Sequence, residues 1–454
     1  MKRLHLGRFD RMIVFLLVGL GLVLAGAGLA ASLAGLKPPE LVSQTVSVKG
    51  PIGLTFSQKM SAETVQSRLS LEPAAAGRIS WDGKTLWYWP DAVLRPGQSY
   101  TLRLAAGAKA EDGQEIRAET SRIIQARAPQ VIFLSPAAAA SEIWIANPDG
   151  SGQTQLTQTG AQVIDYGMGY DGSWIAYSVN NPQKGKDLWV MRRDGSDARK
   201  LIDCGGDSCT QPAWSPDGKR IAYSRIRLSV APGEVFSPVP RIWTVDLDNA
   251  RSAALFQDPA VSGTTPLWSP DGKFLAFYSP TTKVIHALNI ETGQDLLFRS
   301  QMGAVGSWTA DSSHLFYGDL ESSDSLPYGS GYMADIQTDE VTSLFNAVPE
   351  PEDTSPPAPA PDGSWVVVGV RSRGGSHSIQ LFKLRPDGSE SQAITSDHLY
   401  THGAYSVDPA GEWVLYQRFL LGSSTARPEI WVWEKATGSV HRVMTNATQP
   451  AWLP

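Results

Sequence analysis

Cysteine occurs only twice in these 454 residues and histidine seven times. That excludes a disulfide-stapled scaffold, and it excludes a cysteine-rich zinc site, because no second cysteine pair or neighbouring histidine joins Cys204 and Cys209. The sequence has no G-x-S-x-G nucleophile elbow; Tyr328-Gly329-Ser330-Gly331 is a glycine-rich stretch without that spacing. A phosphate-cradling loop is missing as well. So is any cationic excess. The formal charge is −6, and the first eleven residues contribute +3, which leaves −9 for the remainder and excludes nucleic acid as a partner. Turn formers and aromatics are plentiful instead: 42 Gly, 31 Pro and 15 Trp with only 19% charged residues make an all-β composition.

Lys2, Arg3, Arg8 and Arg11 precede Met12 to Leu36, a run without one charge. The expectation is a cytoplasmic basic segment at 1–11, a transmembrane signal anchor at 12–36, and everything beyond it outside the cytoplasm, in the periplasm or at the cell surface. The alternative is a cleaved signal peptide and a secreted protein, since small residues from Ala25 to Ala31 follow a short apolar core. No cysteine follows the apolar stretch, so a lipoprotein anchor is excluded. Outside the cytoplasm, Cys204 and Cys209 read as a small loop disulfide; two free thiols are the alternative.

Residues 37–127 read as short alternating strands: Val46 to Phe56, Arg68 to Leu71, Arg78 to Trp81, Thr85 to Trp89 and Ser99 to Leu104. Asp82-Gly83 and Pro96-Gly97 supply tight turns between them. Phe56-Ser57-Gln58-Lys59-Met60-Ser61, Leu71-Glu72-Pro73, Trp81 and Leu94-Arg95-Pro96-Gly97-Gln98-Ser99-Tyr100 resemble the bacterial Ig-like domains of the surface-layer (SbsA) type. The resemblance implies an Ig-like β-sandwich that acts as a spacer or adhesive module. Trp87 and Trp89 share one side of a strand and are expected in its core rather than on a sugar-stacking platform.

From residue 128 to 454 the chain repeats itself. The clearest unit is Trp214-Ser215-Pro216-Asp217-Gly218-Lys219-Arg220-Ile221-Ala222-Tyr223-Ser224, recurring from Trp268 to Phe277. Looser copies place anchors at 171, 217, 271, 311, 362 and 410, in steps of 46, 54, 40, 51 and 48, the length of one four-stranded propeller blade. Asp and Gly serve backbone geometry at such turns, so the recurring aspartates are not read as ligands or catalysts. Third strands are expected at Glu142 to Ala146, Asp187 to Met191, Arg241 to Val245, Val284 to Asn289, Tyr332 to Ile336, Ser378 to Leu384 and Glu429 to Trp433. That count gives seven blades, with six as the alternative. Thr448-Gln449-Pro450-Ala451-Trp452 repeats Thr210-Gln211-Pro212-Ala213-Trp214 and is expected to close the ring against the first blade.

These repeats resemble the WD40-like (PD40) repeats of the TolB family of propellers. Prolyl-oligopeptidase relatives share similar repeats and add an α/β-hydrolase domain, for which no segment is recognised here. The expectation is therefore a non-enzymatic, membrane-tethered binding or scaffolding protein without a cofactor, recognising a protein or glycan of the cell envelope. The alternative is a propeller-type hydrolase or lactonase with a metal in its central channel. The long loops gather on one face: Asn180 to Lys186, Asp203 to Thr210, Arg225 to Pro240, Gly318 to Gly331, Asn346 to Ala358, Gly369 to Gly375, Ser396 to Ala404 and Gln417 to Pro428. The candidate binding residues there are Asp397, His398, Tyr400 and His402, with Arg225, Arg227, Tyr328, Arg418 and Arg427. His398 and His402 are four apart, but no helix is expected to bring them together, so no metal is assigned.

Overall fold

The computed structural model describes residues 36–454 except 139, 229–237, 322–326, 345–350 and 373–376. The expected anchor therefore lies, but for Leu36, outside the described residues, among which no helix is long and apolar enough to cross a membrane. The chain divides into two compact units, one of residues 1–46, 51–92 and 97–126 and the other of the remainder.

The first unit holds two four-stranded sheets. One runs Glu40–Leu41, Ile52–Thr55, Thr85–Pro90, Gly77–Asp82, and the other Thr45–Ser47, Thr120–Arg127, Ser99–Leu104, Leu69–Glu72. Period-two alternation buries Ile52, Leu54, Leu86, Leu102, Leu104 and Ile124 completely. The expected strand Val46 to Phe56 is broken, because Val48 to Gly50 turns the chain and Gly50 N donates to Ser47 O at 3.0 Å. Trp87 and Trp89 are only half-buried, a correction to their expected core position. The buried side of their strand is the one carrying Leu86, and Trp89 instead donates its indole N–H to Ser80 Oγ at 3.0 Å.

The second unit is built of consecutive antiparallel four-strand sets. One set runs Thr264–Trp268, Phe274–Ser279, Val284–Asn289, Asp295–Arg299, and the next Ala304–Trp308, His314–Glu321, Tyr328–Asp335, Val341–Ser343. The sets beginning at Val163–Met168 and Ser208–Trp214 merge into one eight-stranded sheet through a single parallel pairing, Lys186 with Ser208. The last strand, Thr448–Leu453, pairs with Gln130–Ser135 and so completes the sheet that also holds Glu142–Ala146 and Thr154–Gln155. The core lies between sheets. Ile285, Leu296 and Phe298 of one set pack on Trp308, Leu315 and Tyr317 of the next, and Val131 and Phe133 pack on Leu415, Ile430 and Val432.

The repeat motif dictates this geometry locally. Ser215 Oγ donates to Asp217 Oδ1 at 2.5 Å and receives Arg220 N at 2.9 Å, while Asp217 Oδ1 also receives Lys219 N at 3.0 Å. Gly218 supplies the left-handed residue the turn requires, with φ of 70°. Ser269 and Asp271 repeat the pattern, and Asp311 and Asp362 cap their turns similarly. The first strand of each set bends through a β-bulge, and several bulges hold a non-glycine residue in the left-handed region: Gln211 (φ 57°), Thr265 (50°), Ala404 (46°) and Gln449 (51°). Side chains from neighbouring strands satisfy the exposed amides. Asp165 Oδ2 receives Gln211 N at 2.9 Å, Gln211 Oε1 receives Thr265 N at 2.9 Å, and Gln417 Oε1 receives Gln449 N at 3.1 Å.

Candidate functional site

The loop end expected to bind is more ordered than its sequence implied. Tyr400–Val407 is a strand, not part of a loop from Ser396 to Ala404: Tyr400 pairs with Leu420 and His402 with Arg418. Strands likewise extend into the expected loops at His314–Glu321, Tyr328–Asp335, Pro351–Thr354 and Trp413–Leu420. The reason is that backbone pairing continues past the apolar run wherever the partner strand is equally long.

His402 is only 4% exposed. Its ring is tilted against Tyr416 at 5.6 Å and its Nδ1 lies 2.9 Å from Ile379 O, so the imidazole is turned into the interior. Burial holds its pKa below the ordinary histidine value. His398 is exposed, with Nδ1 3.5 Å from Ser378 Oγ, and among the described residues no group of three or more His, Cys, Asp or Glu could hold a metal ion.

Arg418 lies between two rings, 3.9 Å from the Tyr400 centroid and 4.0 Å from that of Trp431. Its Nε donates to Glu429 Oε2 at 2.8 Å, and the same oxygen receives the Trp431 indole N–H at 2.9 Å. Arg225 is engaged alike, paired with Asp207 at 2.8 Å and placed 4.8 Å from the Trp243 ring centroid. Two of the expected partner-contacting cations are thus committed to the protein's own carboxylates and indoles. Tyr328 is half-buried at a strand start, whereas Asp397, Arg227 and Arg427 are exposed. Cys204 and Cys209 form a disulfide, with Cα atoms 6.3 Å apart, both sulfurs lying among buried apolar residues.

A Ser-His-Asp contact also occurs. Ser313 Oγ is 2.7 Å from His314 Nδ1, and His314 Nε2 is 3.6 Å from Asp335 Oδ2. The serine hydroxyl is, however, the turn hydroxyl of the repeat, donating to Asp311 Oδ1 at 2.7 Å. Ser364 does the same to Asp362 at 2.8 Å in a turn with no histidine, so the geometry follows from the turn.

An open cleft of about 510 Å³ lies beside the fourth strand Asp295–Arg299. All five residues of that strand line one side; Tyr317, Asp319, Tyr332, Asp339 and Val341 line the other. Phe298, Tyr317 and Tyr332 form a continuous ring stack, with centroids 5.9 Å and 5.4 Å apart. Burial, aided by Asp319, pushes the Tyr317 phenol up to about 12, and burial with Glu321 raises that of Tyr332 further, so both stay protonated donors. Sequence reasoning named none of these residues as a candidate site. The available signal was the period-two alternation of Asp295-Leu296-Leu297-Phe298-Arg299, which buries Leu296 and Phe298 and leaves Leu297 and Arg299 exposed.

Against known proteins, residues 37–123 match the bacterial Ig-like domain family. The chain is 25% identical over 219 residues to the uncharacterized peptidase YuxL of Bacillus subtilis, a match covering 48% of this chain and 31% of that protein. A structure from a study of two prolyl endopeptidases superposes with a TM-score of 0.52 at 12% identity, over 85% of this chain and 51% of that one. TolB from Acinetobacter baumannii is also similar, with a TM-score of 0.41 and 17% identity over 74% of this chain and 84% of that one. The chain thus spans about half or less of the length of the peptidases it matches. The peptidase match in sequence overturns the expectation of a non-enzymatic binding or scaffolding protein. Residues 37–123 are a bacterial Ig-like domain, and the chain's structural neighbours are TolB and WD40-like β-propellers.

Proposed function

We propose that this chain serves peptide hydrolysis, its propeller being the part that admits and selects peptide. The observation carrying this reading is the 219-residue match to a peptidase at 25% identity; the likeness to the prolyl endopeptidase structure supports the propeller fold alone. The reading includes a ring of seven blades. It is supported by buried apolar clusters that each join two consecutive four-strand sets, the last joining the Trp413–Leu420 set back to Gln130–Ser135. It also places the propeller outside the cytoplasm, supported by the uncharged run Met12 to Leu36 behind four basic residues and by a disulfide, which persists in oxidising compartments.

The test is turnover of short aminoacyl and dipeptidyl anilides by the purified full chain, with labelling by a serine-directed phosphonate run in parallel. Release of the anilide together with saturable labelling supports the reading. Absence of both, from protein whose far-ultraviolet spectrum shows the β-fold intact, overturns it.

A further inference from the structure

The cleft beside Asp295–Arg299 contains an unused sheet edge. That strand pairs with Val284–Asn289 on one side and with no other strand among the described residues. Its flanking hydrogen bonds, Asn289 N to Gln294 O at 2.7 Å and Ser300 N to Lys283 O at 3.0 Å, fix the alternation. Residues 294, 296, 298 and 300 turn their backbone groups inward. The N–H and C=O groups of Asp295, Leu297 and Arg299 therefore point away from the sheet at its edge.

Other fourth strands offer less. Thr154–Gln155, Ser252–Ala254, Val341–Ser343 and Gln392–Ala393 have two or three residues, Arg199–Ile202 has four, and on the longer Val440–Thr445 the Val443 carbonyl accepts the Gln153 side-chain amide at 3.1 Å. Edges this open are normally short, covered or charged against pairing. Here the edge carries Leu297, 61% exposed, and Val341, 45% exposed, stands across the cleft. The charges lining the cleft are Asp295, Asp319 and Asp339 against Arg299 alone.

We propose that this cleft binds an extended, basic peptide segment that adds itself as a fifth strand to the edge Asp295–Arg299. Main-chain pairing to Asp295, Leu297 and Arg299 holds the peptide. Side chains on one face of the added strand lie toward Val341, Asp319 and Asp339, and those on its other face lie beside Leu297. The site is independent of hydrolysis, which needs other groups.

The experiment is fluorescence anisotropy of the full chain with a fluorescein-labelled octapeptide of alternating valine and lysine, its integrity followed by mass spectrometry so that cleavage and binding are scored separately. Leu297→Pro removes only an outward N–H and leaves the inward ladder intact. It is expected to weaken binding at least about tenfold without shifting the melting temperature. Asp339→Asn, at a left-handed turn residue that asparagine tolerates, is expected to weaken binding severalfold and flatten its salt dependence. The same octapeptide N-methylated at alternate amides is expected to bind at least about tenfold more weakly. Undiminished binding by a stable Leu297→Pro variant overturns the proposal. So does equal binding of the N-methylated peptide, which would mean charge attraction only, and so does no binding at millimolar peptide. A concentration-dependent dimer abolished by Leu297→Pro would give the edge to a second copy and overturn it too. If Leu297→Pro fails to fold, Asp339→Asn and the N-methylated peptide decide.

Discussion

The first and fourth strands of each set belong to the same sheets and differ in almost every physical respect. First strands answer one another across sheets. The indole N–H of Trp268 donates to Ala213 O at 3.1 Å, that of Trp308 to Leu267 O at 3.2 Å, and that of Trp452 to Ser406 O at 3.3 Å. Fourth strands pair on one side and end in solvent; Leu297, Val341 and Val440 are all exposed there. The repeat motif is written into the first strand because its tryptophan is bonded to the neighbouring sheet while its backbone pairs within its own. The fourth strand answers to one sheet only, which leaves it free to carry something specific to this chain.

The first-strand tryptophans carry the largest energy at stake in this difference. Trp268 is 6% exposed, and its ring lies 5.0 Å from the Arg220 guanidinium. Trp268→Ala is expected to lower the stability of the propeller unit by about 3 to 5 kcal/mol, from lost packing plus the cavity left behind. Trp268→Phe keeps most of the packing and strands the Ala213 carbonyl, for about 1 to 3 kcal/mol. Calorimetry of the propeller transition measures both, and a loss below about 1 kcal/mol for Trp268→Ala would show that the inter-sheet contact is incidental.

A first-strand residue also gives the propeller a pH dependence. Burial disfavours the His402 imidazolium, so its folded pKa lies below the value of about 6.5 expected in the unfolded chain. As pH falls through 6.5 the unfolded chain takes up a proton that the folded chain refuses. Stability is therefore full above that value and declines below it, by at most about 1.4 kcal/mol per pH unit, until the folded pKa is passed. His402→Gln, whose amide can still donate to Ile379 O, is expected to lack this decline. Urea midpoints of parent and variant between pH 7 and pH 5 measure it, and parallel curves would place the imidazole in water rather than in the interior.

What could be read from the sequence follows the same division. Asp217-Gly218 and its copies announced turns because the side chain that caps the turn and the glycine that permits it are both part of the motif. Thr448 to Trp452 announced its pairing because it repeats Thr210 to Trp214, including the glutamine placed in the left-handed region in both. The Ig-like segment was legible from its turns, but the half-buried state of Trp87 was not, since period two says which residues share a face and not which face is covered. The candidate site was the least legible part. Polarity and aromaticity marked His402, Arg418 and Arg225, yet those are the features of a residue satisfied within its own fold as much as of one awaiting a partner. The cleft beside Asp295–Arg299 is formed by strands about twenty to forty-five residues apart in the chain, a distance over which no local motif reports.

The fourth strand holds two adjacent residues of opposite burial. Leu297 lies on a fourth strand with 61% of its surface exposed, so Leu297→Ser removes an apolar side chain that the folded state barely shelters. Its change in stability is expected to stay within about 0.5 kcal/mol, an order of magnitude below Trp268→Ala in the same propeller. Phe298, next in sequence and on the opposite side of the same strand, is 4% exposed and packs on Tyr317, so Phe298→Ala is expected to cost about 3 to 5 kcal/mol. Urea titrations of the two variants compare adjacent residues whose difference is only which side of the strand they occupy. Equal losses would mean that the edge is covered in solution and that Leu297 has a partner; a large loss for Phe298 alone leaves the edge open, with an apolar side chain that the fold itself does not use.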